Sequence, residues 1–308
     1  MGSRSRDGAE AVRRMVAAHL PGYRIDSVAR VGEGTDNLVF EVNGELLVRW
    51  SKEADPAARA ARVEREARLL AAVADISPLP VPEPSVVDPE QGCLAYRKLL
   101  GRPLLDLPDA QRSEHGGSVG ATLGELLTAL HAAPVEPLAR LVDIDDQPLG
   151  DWRREAAETY AQVAEEVPVE YRRRVEAFLD APPPAHEWAP PVFSHNDLGI
   201  EHVLVDAGTW NVTGVIDWSD AAIVDPAVDV GLLYRDLGPR RARRPGQLPK
   251  RGQRSCDPRG ARRLLCPVQC LRGPGVRHRD RTGEVRREEP CRDGLAVPGA
   301  PRRQLISK

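Results

Sequence analysis

The sequence is poor in aromatic residues, and the few it has are unevenly placed. It contains 5 Trp, 5 Tyr and 3 Phe in 308 residues, all of them before residue 239. Pro and Gly are scattered through residues 239–308 and interrupt any periodic pattern. Such a segment cannot bury enough apolar surface to offset the entropy lost on ordering. We therefore expect residues 239–308 to be disordered or poorly packed.

Long apolar runs and a regular cysteine pattern are also lacking. No apolar run is long enough to span a bilayer, and we recognise no secretory signal ahead of the first predicted helix. The 5 Cys residues form an odd total and fit no metal-site spacing. These features predict a cytoplasmic protein with no membrane partner.

The net charge of −3 hides a sharp division of the charges along the chain. The chain has 43 Lys and Arg residues and 46 Asp and Glu residues. Residues 239–308 hold 20 of the basic residues and 6 of the acidic ones, so the rest of the chain is strongly acidic. The basic segment would bind nucleic acid or another polyanion, fold back on the acidic body, or be the translation of a wrong reading frame. We favour the frameshift as a hypothesis and do not expect a nucleic-acid partner.

A run of ionisable residues lies between short apolar segments near the end of the acidic region. His-Asn-Asp-Leu-Gly-Ile-Glu-His at residues 195–202 is followed by Val-Ile-Asp-Trp at 215–218. The β-branched segments at 203–205 and 212–216 predict a hairpin that brings His202 and Asp217 together, facing one cation. Phosphoryl transfer from a nucleotide requires an acid that orients the attacking hydroxyl and ligands that hold Mg²⁺.

Upstream, the chain contains a candidate nucleotide-binding turn. Gly32, Gly34 and Thr35 lie between two predicted strands, where glycines let backbone N–H groups approach phosphate oxygens; an ordinary hairpin turn is the alternative. The next predicted strand, residues 46–50, carries Arg49. An arginine can bind phosphate with two hydrogen bonds, and the alternative is a strand residue that faces solvent.

These motifs resemble those of the aminoglycoside and macrolide phosphotransferases, which are antibiotic kinases. The resemblance covers about residues 20–238. It implies an α+β, bilobal, protein-kinase-like fold: a small antiparallel-sheet N-lobe at residues 1–98, a mainly helical C-lobe at 99–238, and an atypical tail at 239–308.

The same resemblance implies a function. It points to ATP- or GTP-dependent transfer of the γ-phosphate to a hydroxyl of an aminoglycoside-like antibiotic. The alternatives are a macrolide phosphotransferase, a choline- or homoserine-type kinase, and an inactive relative with a polyanion-binding tail.

By resemblance, Asp197 is the catalytic base, Asp217 the main Mg²⁺ ligand and His202 the second residue of the metal site. The family usually has Asn at the position of His202, although several macrolide kinases have His. An imidazole suits softer metals better than Mg²⁺. The choice of metal therefore stays open.

In the N-lobe, Arg49 stands where kinases place their phosphate-binding Lys. Glu66, in a helix predicted at residues 55–74, matches the acid that pairs with that cation, and Glu64 is its competitor. Residues 98–104 resemble the hinge between lobes, where the backbone would bind the nucleotide base.

Further helices are predicted at residues 7–19, 116–133, 149–164 and 168–180. The acidic side chains around residues 155–170 would line a site for a cationic antibiotic or form a solvated face. His195 is predicted only to orient its neighbours. Asp225 and Asp229 are predicted to cap a helix.

Overall fold

The computed structural model describes residues 2–182 and 190–238, so the expectations for residues 239–308 lie outside the described residues. The N-lobe is one antiparallel sheet, in the order β1-β2-β3-β5-β4, with two helices. Its elements are α1 (Gly2–His19), β1 (Val28–Glu33), β2 (Asn37–Val42), β3 (Leu46–Ser51), α2 (Pro56–Ile76), β4 (Pro84–Asp88) and β5 (Cys93–Arg97).

Alternation along β3 separates the two faces of this sheet. Leu46 and Val48 are buried in a cluster that includes α1. Leu47 lies on the other face, where it packs against a cluster that includes Val63 of α2. Because side chains in a strand alternate between faces, Arg49 shares the α2 face with Leu47.

Local chemistry explains two of the N-lobe boundaries. Asp55 caps α2, since its Oδ2 accepts a hydrogen bond from Ala58 N at 2.7 Å, and Pro56 occupies the first turn. The predicted helix at 55–74 is thus confirmed within two residues of each end. Asn43 and Gly44 have φ of 55° and 77°, and they form the tight turn between β2 and β3.

The C-lobe is mainly helical, with two small sheets in the orders β10-β9-β6 and β7-β11-β8. Its elements are β6 (Arg102–Pro103), α3 (Asp109–Ala132), α4 (Val135–Leu138), β7 (Asp143–Ile144), α5 (Leu149–Val163), α6 (Val169–Asp180), β8 (Val192–Ser194), β9 (Val203–Val205), β10 (Val212–Val215), β11 (Ala222–Val224) and α7 (Ala227–Leu237). The predicted hairpin is confirmed as the antiparallel pair β9–β10.

Helix α3 runs through the main core. Leu123, Leu126, Leu127 and Leu130 recur on one face of it at helical spacing, and all four are buried. The helix begins at Asp109, seven residues before the predicted start. Gly116, Gly120 and Gly124 lie within it at four-residue spacing and are buried, so neighbouring elements can pack close to that face. None of the described helices is both long and apolar enough to cross a membrane.

Candidate active site

The loop between β8 and β9 is held by a carboxylate from α7. Asp229 is fully buried, and its two oxygens accept hydrogen bonds from His195 N at 2.9 Å and Asn196 N at 2.8 Å. Asn196 has a φ of 66°, a conformation that these bonds help to fix. The prediction that Asp229 caps a helix is therefore wrong, because its acceptors face the loop. Asp225 precedes the N-cap residue Pro226, and its Oδ1 supports the start of α7 by accepting from Ala227 N at 2.7 Å.

The buried His195 ring also holds the loop, through a hydrogen bond at each of its two nitrogens. Its Nε2–H donates to Ile216 O at 3.0 Å, and its Nδ1 accepts from Asp197 N at 3.3 Å. Burial lowers the pKa of His195 to about 4. The ring is thus neutral, and its contacts match the orienting role predicted for it.

Three of the predicted site residues lie together. The Nδ1–H of His202 donates to the backbone oxygen of Asp197 at 2.8 Å, and Nδ1 lies 3.6 Å from Asp197 Oδ2. On its other side, His202 Nε2 lies 3.7 Å from Asp217 Oδ2. The predicted proximity of His202 and Asp217 is confirmed.

The two carboxylates of this cluster titrate differently. Burial raises the pKa of Asp197 to about 7; the nearby Asp220 adds to this, and His202 partly offsets it. Burial would also raise the pKa of Asp217, but Arg49 and His202 outweigh it and lower that pKa. For His202, burial lowers the pKa, yet the two carboxylates together raise it. Asp197 is therefore the carboxylate that gains a proton near neutral pH, whereas Asp217 stays ionised.

Asp217 follows β10 with φ 61° and ψ 66°, the left-handed region. A non-glycine residue there costs about 1–3 kcal/mol. The hydroxyl of Ser219 donates to Asp217 Oδ1 at 2.8 Å and helps to hold the side chain. This backbone conformation directs the carboxylate towards His202 and Arg49.

Arg49 brings the N-lobe to the same place. Its Nη1 lies 3.0 Å from Glu66 Oε1 and 3.9 Å from Asp217 Oδ1. The contact with Glu66 is an ion pair by distance, although its angle does not meet hydrogen-bond geometry. Arg49 therefore does not face solvent, and the structure selects Glu66 over the exposed Glu64 as its partner. With the Asn37 amide oriented to satisfy both its atoms, its oxygen accepts from Arg49 Nη2 at 2.9 Å.

The glycine turn closes the β1–β2 hairpin. Gly34 N donates to Asn37 O at 2.9 Å, Gly32 lies within β1 opposite Val39, and Thr35 is exposed at the tip. The predicted strand–turn–strand is confirmed. Binding of phosphate by its backbone stays a prediction.

Charged side chains of the N-lobe hold this turn. Lys52 Nζ donates to Gly34 O at 2.7 Å and lies 2.7 Å from Glu33 Oε1. Arg62 of α2 pairs with Asp36 at 3.1 Å. Neither Lys52 nor Arg62 was predicted to contact the turn, because both lie far from it along the chain and nothing in the local sequence indicates the contact.

His202 and Asp217 fit as two ligands of a divalent cation whose other ligands come from outside the protein. In residues 2–182 and 190–238, no group of three or more His, Cys, Asp and Glu side chains is arranged to hold a metal ion. Adjacent ligands of an octahedral Mg²⁺ lie about 3 Å apart, so the 3.7 Å between His202 Nε2 and Asp217 Oδ2 would shorten slightly when both bind the ion. Mg²⁺ commonly takes one or two protein ligands together with phosphate oxygens and waters.

Two comparisons with solved structures establish the fold. The GDP and kanamycin complex of APH(2″)-IIIa is 24% identical, with a TM-score of 0.63 over 85% of this chain and 89% of its own. The macrolide 2′-phosphotransferase MphH from Brachybacterium faecium is 23% identical, with a TM-score of 0.57 over 85% and 91%. The predicted bilobal kinase-like α+β fold is confirmed.

The sequence comparisons establish the family. Viomycin phosphotransferase of Streptomyces vinaceus is 29% identical over 241 residues, which are 74% of this chain and 80% of the relative. The sequence profile of the phosphotransferase enzyme family matches residues 27–265. The match extends past residue 238, where the resemblance was expected to end. The chain belongs to the phosphotransferase enzyme family.

Proposed function

We propose that this enzyme transfers the γ-phosphate of ATP or GTP to a hydroxyl of an aminoglycoside-like antibiotic. The observation that carries the proposal is the meeting of Asp197, His202 and Asp217 of the C-lobe with Arg49 of the N-lobe. Such a meeting places an acid that can orient a hydroxyl beside groups that can hold phosphates. Solved neighbours bound to GDP or ADP support nucleotide binding.

Asp197 is suited to accept the proton of the attacking hydroxyl. Its pKa of about 7 makes it a stronger base than an ordinary carboxylate, while it still ionises near neutral pH. The His195 ring and Asp229 fix the backbone on which it stands. The hydroxyl is thus oriented by a preformed group, and positioning supplies much of the catalysis in phosphoryl transfer.

Arg49 and Glu66 handle the phosphates from the other lobe. Glu66 holds the guanidinium, so that Arg49 presents its charge towards Asp217 and the space between the lobes. Gly32, Gly34 and Thr35 would cover the phosphates with backbone N–H groups. Asp217 and His202 would hold Mg²⁺, which when bound offsets charge on the phosphate oxygens.

The acceptor is proposed from the chemistry of the site and of its neighbours. An acidic rim of Glu201, Asp220 and Asp197 favours a cationic molecule, and the structural neighbours include kanamycin and gentamicin complexes. Viomycin is a second candidate, because the relative that is 29% identical is a viomycin phosphotransferase.

The test is a panel assay on the full chain. Kanamycin, viomycin, a macrolide and choline are each offered with ATP and with GTP, and the acceptors are analysed by mass spectrometry for one added phosphoryl group. We expect product with kanamycin or viomycin and none with choline. Absence of product from every pair would refute the proposal, and product with choline alone would replace the antibiotic with a metabolic substrate.

We further propose that the enzyme acts in the cytoplasm, where ATP and GTP are abundant. Residues 239–308 stay a proposed frameshift product. The nucleotide sequence around codon 238 tests this, since the absence of a second open frame there ends the idea.

A further inference from the structure

A second carboxylate of α7 also reaches the loop that carries the site. Asp236 Oδ2 accepts a hydrogen bond from Ile200 N at 3.2 Å. Asp236 lies seven residues after Asp229, which is about two helical turns, so the two carboxylates share one face of α7 about 10 Å apart. One helix therefore holds the loop both at its start and at the turn before His202.

Ile200 is fixed on three sides. Its side chain is buried in the main core, and its carbonyl accepts from Leu105 N at 3.1 Å. Asp236 occupies its N–H. The surrounding turn is closed by Gly199 N donating to Asp197 O at 2.8 Å and His202 N donating to Gly199 O at 3.1 Å. A shift of Ile200 would thus move both ends of this turn.

Arg235 fixes the Asp236 carboxylate. Its Nε donates to Oδ1 at 2.7 Å and its Nη2 to Oδ2 at 2.8 Å. Consecutive helical residues do not normally face each other, so a two-point contact between neighbours in a helix is unusual. The side chain of Asp236 is 12% exposed, and a carboxylate this buried needs a partner charge. The pair keeps Oδ2 directed at Ile200.

We propose that Asp236, held by Arg235, is a positioning residue for phosphoryl transfer. Acting through the Ile200 N–H, it sets the turn that fixes the spacing between Asp197 and His202. The inference rests on the proposed function, because those two residues are the groups that it positions. It adds a second anchor to the one that Asp229 supplies.

The experiment compares Asp236→Ala, Asp236→Asn and Leu233→Ala in the full chain. Leu233 lies on the same helix in the main core, and its truncation destabilises the protein without removing an acceptor from the loop. We expect Asp236→Ala to lower kcat about ten- to hundredfold, since small misplacements of reacting groups carry costs of that size. KM for nucleotide and for antibiotic should change less than about threefold. Asp236→Asn keeps an acceptor oxygen, so it should recover part of kcat.

Hydrogen–deuterium exchange of the peptide spanning residues 197–203 supplies a readout that needs no activity. Asp236→Ala should lose protection there, and Leu233→Ala should keep it. If Asp236→Ala loses protection but the parent protein phosphorylates none of the acceptors, the contact of Asp236 with the loop is supported and only the proposed function is refuted. Unchanged protection in Asp236→Ala, or an equal loss of kcat in Leu233→Ala at equal stability, would overturn the inference.

Discussion

The loop at residues 195–202 would contact the acceptor hydroxyl and the metal, and the glycine turn at residues 32–36 would contact the nucleotide phosphates, yet the two are held in different ways. Backbone N–H groups of the loop bond to carboxylates of α7 and to a buried imidazole. The turn is held by ion pairs of Lys52 and Arg62, which are partly exposed. Buried hydrogen bonds fix geometry, whereas exposed ion pairs contribute little stability. The loop is therefore preformed, and the turn is held less firmly.

The largest effect is expected at the loop. Asp197→Ala should lower kcat by about 10²- to 10⁴-fold, because it removes the proposed base. Nucleotide affinity should change little, since the side chain does not contact Arg49 or the turn. Steady-state kinetics and calorimetric titration with nucleotide measure the two quantities. Turnover within a few-fold of the parent would remove Asp197 from this role.

The anchors of the loop should matter for stability as well. Asp229→Ala leaves one buried and one partly buried N–H group without their acceptor, which costs about 2–5 kcal/mol of unfolding free energy. Asp225→Ala is the matched comparison on the same helix, because it removes the hydrogen bond from Ala227 N at the start of α7, a contact worth about 1 kcal/mol. Urea unfolding of both variants measures the difference. An equal loss of unfolding free energy in the two variants would show that Asp229 stabilises the protein no more than Asp225 does, which contradicts the prediction.

His195 makes the loop sensitive to acid. Its pKa falls to about 4 in the folded protein, so between pH 6.5 and 4 the unfolded chain binds a proton that the folded protein does not. Its contribution to stability is therefore complete above pH 6.5 and is lost as pH falls towards 4, by up to about 3 kcal/mol. The stability difference between the parent and His195→Gln should shrink by that amount from pH 7 to pH 4. A pH-independent difference would contradict the neutral buried ring.

The predictions from sequence succeeded where the information is local. The apolar pattern of residues 46–50 placed Arg49 in a strand, and the β9–β10 hairpin brought His202 to Asp217, because each depends on a short span of chain. Asp229 shows where prediction from local sequence fails. It stands in a good helix-start pattern, and only the packing of α7 against the loop, more than thirty residues away, directs its carboxylate at His195. The choice between Glu64 and Glu66 was likewise decided by which face of α2 meets the sheet.

The smallest effect is expected at the glycine turn, and it should appear in a different quantity. Lys52→Ala removes contacts to Gly34 O and Glu33, yet it should change stability by less than about 1 kcal/mol because the side chain is partly exposed. Because the turn is proposed to cover the phosphates, its displacement should raise KM for nucleotide about threefold while kcat stays near the parent value. Arg14→Ala, which breaks an exposed pair on α1, is the control and should leave both unchanged. If Lys52→Ala lowers kcat as strongly as it raises KM, the turn is as preformed as the loop, and the contrast between the two regions fails.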